Sequence, residues 1–222
     1  MNLQFPRCGF LHRGNLRAGA FCRENGAKIG KTARIFLASI AIQSQKCYAD
    51  KEVTGCGYAK ARGKLITCDP NLRLPLWKSE EAAKEQMLWS LHQADVVKIS
   101  DNEVEFLWNC TPEEGADKLL SEFGVSLAMV TLGPDGCLLK TKNASFRAAC
   151  PKVHPIDTTG AGDIFGGSAV SRLLELEKPI DALTEADLAY IGCFAATAAS
   201  LSTEASGGIP SIPEKEAVLN AM

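Results

Sequence analysis

Apolar and polar positions follow two different spacings from about Ala33 onward. Short apolar runs predict β-strands, in order, at 35–42, 64–68, 96–99, 127–132, 137–140 and 145–149. Apolar residues that recur every three or four positions predict helices near 79–93, 103–107, 112–123, 160–176, 184–201 and 214–221. This alternation predicts an α/β fold, a doubly wound and mainly parallel sheet with flanking helices.

Capping residues support the helix starts. Thr111 stands before Pro112 and three residues before Glu114, a spacing that predicts a capped helix with proline in its first position and a capping box. Ser79 and Thr184 are predicted to cap two further helices. Ligands of such sheets bind outside the carboxyl ends of the strands, so Asp69, Ser100, Gly133 and the Gly160 loop are expected along one rim.

Composition bounds the domain organisation and the partners. The chain has 222 residues and a net charge of −2, without the basic excess typical of nucleic-acid or membrane binding. No apolar run approaches the roughly 18 residues of a membrane span. Residues 1–32 show no clear period, which predicts an atypical N-terminal segment followed by one domain at 33–222. We therefore expect no nucleic acid and no membrane as partners.

Nine cysteines and three histidines lack the spacing of a zinc site, and no C-x-x-C pair occurs. An odd cysteine count in a chain of this size disfavours a disulfide framework. The first 23 residues carry four arginines and no acidic residue, as mitochondrial leaders do, but they lack the serines typical of such leaders. These features predict reduced thiols and a cytoplasmic location.

One glycine-rich segment carries candidate chemistry. In Asp157–Asp163, which reads DTTGAGD, two glycines flank an alanine directly before an apolar helix. The free N–H groups and the positive dipole end at the start of such a helix favour an anion such as phosphate. Asp163 falls in the first helical turn, where an ionised carboxylate can accept the proton of an attacking hydroxyl. The plain alternative is a capped helix start without a ligand.

Four segments together resemble a known family. Residues 157–167 (DTTGAGDIFGG) resemble the second signature of the ribokinase-like, phosphofructokinase-B type carbohydrate kinases. Residues 69–77 (DPNLRLPLW), 97–103 (VKISDNE) and 130–136 (VTLGPDG) resemble, in order and spacing, the fructokinases of bacteria and plants. The resemblance covers about 59–213. It implies the ribokinase-like fold and transfer of the ATP γ-phosphate to a sugar, with fructose giving fructose 6-phosphate as the first choice.

The resemblance also implies a role for each matched residue. Asp163 would be the catalytic base, and Gly160, Ala161 and Gly162 would form the anion hole. Glu103 would organise Mg²⁺ near the phosphates of ATP. A further set would bind the nucleotide: Thr131, Gly133, Gly136, Gly207 and Gly208.

Other residues match the family's acceptor site and its K⁺ site, and one position differs from the family. Asn71 and Arg73 match residues near the transferred phosphate or the sugar. Asp157 and the Gly207 loop match positions that border a K⁺ site in many relatives. Ala196 stands where the family has asparagine, so one nucleotide contact is expected to be lost.

The resemblance fades toward the N-terminus. Upstream of Ile35 we find no match to the acidic sugar-gripping strand, the glycine-rich sugar signature or the small lid strands, which often form the family's dimer interface. The sequence thus allows an active sugar kinase, with ribose or ketodeoxygluconate as other acceptors, or an impaired nucleotide-binding fragment of one. Residues 25–32 differ from a P-loop only at Asn25, but no clear strand precedes them.

Overall fold

The computed structural model describes the backbone of residues 35–39 and the full structure of residues 59–222. The predictions made for residues 1–32, for the P-loop-like stretch 25–32 and for the absence of family strands upstream of Ile35 lie outside the described residues. The weakly matching stretch 43–58 lies there too.

A six-stranded sheet forms the centre of the described part, and its strand order follows the chain. The strands are β1 (Ile35–Ser39), β2 (Leu65–Asp69), β3 (Val96–Ser100), β4 (Leu127–Thr131), β5 (Cys137–Lys140) and β6 (Ser145–Ala148). Strands β1 to β4 run parallel, whereas β5 and β6 are antiparallel to their neighbours. Ser39 pairs with Asp69, and Ser100 pairs with Thr131. The carboxyl ends of the four parallel strands therefore share one rim, as predicted.

The helices follow the predicted order. They are α1 (Glu80–Leu91), α2 (Asp101–Trp108), α3 (Pro112–Ser121), α4 (Ala161–Glu175), α5 (Glu185–Ser202) and α6 (Lys215–Ala221). Capping boxes at Thr111 and Thr184 and the side-chain cap at Ser79 confirm the predicted starts. None of the helices within residues 59–222 combines the length and the apolar character needed to cross a membrane.

Hydrophobic cores lie on both faces of the sheet. Val97 and Ile99 of β3 pack with side chains from α1, α2 and α3. The alternate residue Val96 packs on the other face, with side chains from α4 and α5. Because successive side chains of a strand point to opposite faces, one strand serves both cores. Helices on both faces of a mainly parallel sheet confirm the doubly wound α/β fold.

Candidate active site

The glycine loop leads directly into α4. Gly160 is the N-cap residue and has a left-handed backbone with φ of 83°. A Cβ at this position would lie 3.0 Å from the Cα of Gly208, so the glycine loop and the Gly207–Gly208 turn are in close backbone contact. The structure thus brings together two segments that the sequence separates by 47 positions, the predicted anion hole and part of the predicted nucleotide site.

Asp157 ties these two segments together. Its Oδ1 accepts a hydrogen bond from the N–H of Thr159, and its Oδ2 accepts one from the N–H of Gly207, both at 2.9 Å. Hydrogen bonds from the Thr159 side chain and from these backbone N–H groups lower the pKa of Asp157 to about 2. The carboxylate is therefore ionised at neutral pH and holds the Gly207 turn against the glycine loop. A K⁺ site at its border stays a prediction.

The first turn of α4 forms an open N-terminus. The N–H of Ala161 donates to the carbonyl of Thr158 at 3.2 Å, and the N–H of Ile164 donates to the carbonyl of Gly160 at 2.9 Å. The N–H groups of Gly162 and Asp163 come before that of Ile164, the first one with a partner inside the helix, as at any helix start. Asp163 itself is exposed in this turn. An anion at the loop would thus have an accessible carboxylate beside it.

A buried lysine lies behind this turn. Lys98, in β3, is only 8% exposed, and its Nζ lies 3.1 Å from Oδ2 and 3.3 Å from Oδ1 of Asp69 at the end of β2. A Cβ at Gly162 would lie 3.0 Å from the same Nζ, so the ammonium lies against the glycine loop. The ends of two strands and the start of α4 therefore converge on one cation.

Two further acidic groups act on the Asp69 carboxylate of this ion pair. Burial raises the pKa of Asp69 to about 6, and the Lys98 ammonium only partly opposes this effect. The negative charges of Glu103 and Asp163 raise the pKa of Asp69 further, which places both carboxylates within electrostatic reach. Three carboxylates and one ammonium thus occupy the rim beside the glycine loop. This excess of negative charge suits a site that takes up a divalent cation.

Glu103 is not a solvated surface carboxylate. It is 6% exposed, and its Oε1 accepts a hydrogen bond from the N–H of Leu72 at 2.6 Å. Its Oε2 accepts hydrogen bonds from the N–H and the hydroxyl of Ser100 at 2.8 and 2.9 Å. Glu103 therefore closes the capping box of α2 and also fixes the loop after β2. Its predicted contribution to a Mg²⁺ site stays a prediction.

The loop after β2 carries Asn71 and Arg73. Asn71 has a positive φ of 47°, which costs little for asparagine and is typical of loops that surrounding contacts hold in place. The exposed Arg73 side chain donates from Nη1 to the carbonyl of Leu72 at 2.9 Å. The hydrogen bond from Leu72 to Glu103 thus anchors both residues at the same rim as the glycine loop.

The predicted nucleotide turn after β4 is a tight connection to β5. Thr131 ends β4, and the residues Gly133–Asp135 form one turn of 3-10 helix. The N–H of Leu132 donates to the carbonyl of Gly136 at 2.8 Å, which closes the turn. Its position at the carboxyl end of β4 agrees with the predicted rim. The carbonyl of Gly133 also accepts a hydrogen bond from the Cys150 thiol at 3.6 Å.

The family follows from comparison with known sequences. The profile described as pfkB family carbohydrate kinase matches residues 25–215. This chain belongs to that family. The match begins upstream of all four sequence motifs, whereas the division of the chain at residue 32 stays a prediction. The match confirms the resemblance to this family of carbohydrate kinases.

Plant fructokinases are among the curated relatives of this pfkB family chain. The chain is 36% identical over 198 residues to probable fructokinase-6, chloroplastic, of Arabidopsis thaliana, covering 86% of this chain and 50% of that protein. It is 34% identical over 200 residues to fructokinase-2 of Solanum lycopersicum, covering 86% of this chain and 58% of that protein. The chain thus spans about half the length of the curated relatives it matches.

Solved structures show the same fold. Fructokinase from Vibrio cholerae O395, in a form bound to fructose, ADP and a calcium ion, matches with a TM-score of 0.70 and 28% identity, over 84% of this chain and 60% of that one. Aminoimidazole riboside kinase from Salmonella enterica, complexed with aminoimidazole riboside and an ATP analog, matches with a TM-score of 0.69 and 26% identity, over 84% and 61%.

Two features of this pfkB family site were not predicted from the sequence. The pairing of Lys98 with Asp69 was missed, although a lysine inside an apolar strand is a signal that such a residue has a partner. The second is the clamp from Glu103 to the Leu72 N–H. Ala196 is 2% exposed and packs in the core shared with α4, and the loss of a nucleotide contact at this position stays a prediction.

Within the described residues, no cluster of three or more histidine, cysteine, aspartate or glutamate side chains is arranged to hold a metal ion. A magnesium ion needs few protein ligands when the substrate's phosphates and waters complete its shell.

Proposed function

We propose that this chain transfers the γ-phosphate of ATP to a sugar hydroxyl, with fructose as the acceptor and fructose 6-phosphate as the product. The observation that carries the proposal is the open N-terminus of α4, where the exposed carboxylate of Asp163 stands in the first turn. Phosphoryl transfer needs little covalent chemistry from the protein, so positioning and charge stabilisation are its main contributions.

The residues act in a defined order in this proposal. The Gly160–Gly162 segment holds the oxygens of the γ-phosphate: the N–H of Gly162 can donate to them directly, whereas the N–H of Ala161 must exchange its 3.2 Å bond to the Thr158 carbonyl for one to the phosphate. The oxygen of the sugar hydroxyl forms a bond to the γ-phosphorus, and Asp163 accepts the proton that this hydroxyl loses. The bond between phosphorus and the β–γ bridging oxygen breaks, and the electron pair leaves with ADP. Preorganised N–H donors stabilise the charge that develops on the transferred group.

A divalent cation fits the charge of the rim. The charges of Glu103 and Asp163 act on Asp69, which is paired with the Lys98 ammonium. Mg²⁺ bound with ATP would neutralise phosphate charge at this rim. Glu103 would hold that ion through its waters while its carboxylate keeps the Leu72 and Ser100 hydrogen bonds.

The nucleotide would lie along the glycine turns. The Gly207–Gly208 turn touches Gly160, which supports a continuous surface for the adenosine and the phosphates. Thr131, Gly133 and Gly136 would extend it along the carboxyl end of β4. K⁺ would bind beside Asp157, whose two hydrogen bonds hold this surface together.

Fructose is supported by the segment from Asp69 to Trp77, which resembles fructokinases, and by the relatives named above. Asn71 and Arg73 would face the acceptor, on a loop that Glu103 fixes through Leu72. The absence of a match to the sugar-gripping strand and the glycine-rich sugar signature in residues 1–34 supports a second candidate, a chain that binds nucleotide but transfers phosphate poorly.

A sugar panel separates these candidates. ADP release is measured in a coupled assay with fructose, ribose and ketodeoxygluconate, and binding of a non-hydrolysable ATP analogue is measured by calorimetry. The kinase proposal predicts fructose-dependent ADP release with kcat/KM of about 10⁴ M⁻¹s⁻¹ or more. Analogue binding without sugar-dependent ADP release would contradict it and support the nucleotide-binding fragment.

A further inference from the structure

The position of the Lys98 ammonium is unusual for a structural ion pair. A buried pair costs desolvation energy, and apolar residues of similar volume often replace such pairs without loss of stability. Lys98 is not in the middle of a core, however. Its Nζ reaches the rim, where it lies against Gly162 from the strand side of the first turn of α4.

Gly162 is what allows this approach. A Cβ there would lie 3.0 Å from Nζ and 3.8 Å from Cε of Lys98. No side chain at position 162 separates the ammonium from the backbone N–H groups that start the helix. The positive end of the helix and the ammonium therefore act on the same small volume, a combination that favours an anion with several oxygens.

The neighbouring residues indicate which anion this is. The residue after Gly162 is Asp163, the proposed acceptor of the sugar proton. A phosphoryl group moving from ATP to the sugar must pass between the glycine loop and this carboxylate. A cation next to Gly162 therefore lies at the transferred group, and the adenosine end of the nucleotide lies toward Gly208.

We propose that the Lys98 ammonium contacts the phosphoryl group that is transferred, and that Asp69 is a positioning residue that holds this ammonium at the glycine loop. The proposal rests on the proposed function. Asp69 engages two of the ammonium protons through its two oxygens, at 3.3 and 3.1 Å. One proton remains to point toward the loop, since a lysine ammonium carries three donors.

Asp69 also couples the two sides of the reaction. It ends β2 and begins the loop with Asn71 and Arg73, which is the acceptor side of the proposed site. Lys98 lies on β3 and reaches the glycine loop, which is the nucleotide side. The ion pair thus sets the distance between the acceptor loop and the transferred phosphate.

The test compares two ligands that differ in their phosphates. AMP-PNP carries a γ-phosphate analogue, whereas AMP has only the α-phosphate. Calorimetry with Mg²⁺ measures the binding of each to the full chain and to Lys98→Met. A charge-assisted hydrogen bond predicts that Lys98→Met weakens AMP-PNP binding about 10- to 100-fold and leaves AMP binding within about twofold. Lys140→Met, at the opposite end of the sheet, is the matched control and should change neither affinity.

Folding is controlled by a second variant. Lys98→Met alone leaves the Asp69 carboxylate buried without its ammonium, so the double variant Asp69→Asn/Lys98→Met removes both charges and should show the same selective loss. The positioning role of Asp69 predicts that Asp69→Asn lowers kcat about tenfold or more while KM for ATP changes less than about threefold. If Asp69 had only a structural role, Asp69→Asn would lower the fraction of folded protein, and kcat per folded molecule would not fall relative to KM for ATP.

A measurement on the unchanged chain completes the test. The ammonium resonance of Lys98, identified with Lys98→Arg by ¹⁵N NMR, should shift when AMP-PNP is added and not when AMP is added. Equal losses of affinity for AMP-PNP and AMP, or no loss of affinity in Lys98→Met, would overturn the inference. Fructose turnover by the parent chain would in that case still support the proposed function. A folded parent chain that binds neither ligand would overturn both.

Discussion

Gly136 offers a sharp test of the turn that joins β4 to β5. Its φ of 99° and ψ of −131° lie in a region that residues with a Cβ rarely adopt. A Cβ at Gly136 would lie 1.9 Å from the carbonyl oxygen of Ala148 and 2.9 Å from its carbonyl carbon. Contacts between carbon and oxygen are normally no closer than about 3.3 Å, so alanine at 136 must push β6 away by more than about 1 Å.

Two costs add in Gly136→Ala. The unfavourable backbone conformation costs about 1–3 kcal/mol. Opening the pairing of Cys137 with Ala148 loses hydrogen bonds worth about 1 kcal/mol each. We therefore expect the free energy of unfolding to fall by about 3–5 kcal/mol. Gly133→Ala is the matched control, because Gly133 also has a positive φ, 56°, but no atom lies within 4 Å of its Cβ position. It should cost only about 1–2 kcal/mol.

Urea unfolding followed by far-UV circular dichroism measures both variants against the parent. Domains are stable by only about 5–15 kcal/mol, so Gly136→Ala should unfold at a clearly lower urea concentration than Gly133→Ala. Equal midpoints for the two variants would refute the close approach of Gly136 to β6 and with it the geometry of this end of the rim.

Three further substitutions test the charged groups of the rim. Folding raises the pKa of Asp69 from 3.8 to about 6. Between these two pKa values the folded state retains a proton that the unfolded state has lost. The free energy of unfolding therefore falls as the pH rises from about 4 to 6, by up to about 1.4 kcal/mol per pH unit. Asp69→Asn should flatten that slope in urea titrations at pH 4 to 6, and an unchanged slope would speak against a buried carboxylate. Glu103→Gln should lower the free energy of unfolding by about 1–3 kcal/mol, because an amide cannot accept every hydrogen bond of the carboxylate. It should also raise the Mg²⁺ concentration for half-maximal turnover. A stability equal to that of the parent would contradict the hydrogen bond from the Leu72 N–H to Glu103. Asp157→Asn should speed hydrogen exchange at the Gly207 amide about tenfold or more, whereas an unchanged rate would mean that this hydrogen bond does not hold the turn.

Local signals explain why the elements could be predicted from the sequence. The capping box of α3 needs only Thr111 and Glu114, three positions apart, and it is present in the structure. The same holds for the glycine loop, since a Gly-Ala-Gly segment followed by an apolar helix specifies its own backbone path. Residues close in sequence thus determine where each element begins and what its end can bind.

Contacts between strands could not be predicted in this way. Lys98 and Asp69 are 29 positions apart, and their contact depends on the register of β2 and β3, in which Cys68 pairs with Val97. The clamp from Glu103 to the Leu72 N–H spans 31 positions and depends on the same register. The short connections before β5 and β6 make these strands antiparallel to their neighbours. Apolar runs predict where strands lie but not in which direction they pair.

Transfer of phosphate to fructose with Asp163 as the base is the central claim, and ³¹P NMR tests it most directly. The chain is incubated with ATP, Mg²⁺ and fructose, and the spectra follow the γ-phosphate of ATP and the phosphate of fructose 6-phosphate. The account predicts that the parent chain forms fructose 6-phosphate and that Asp163→Asn forms it about 10²–10⁴ times more slowly while binding AMP-PNP with nearly the same affinity. Formation of fructose 6-phosphate at the same rate by both proteins, or no product from a parent chain that binds AMP-PNP, would contradict it.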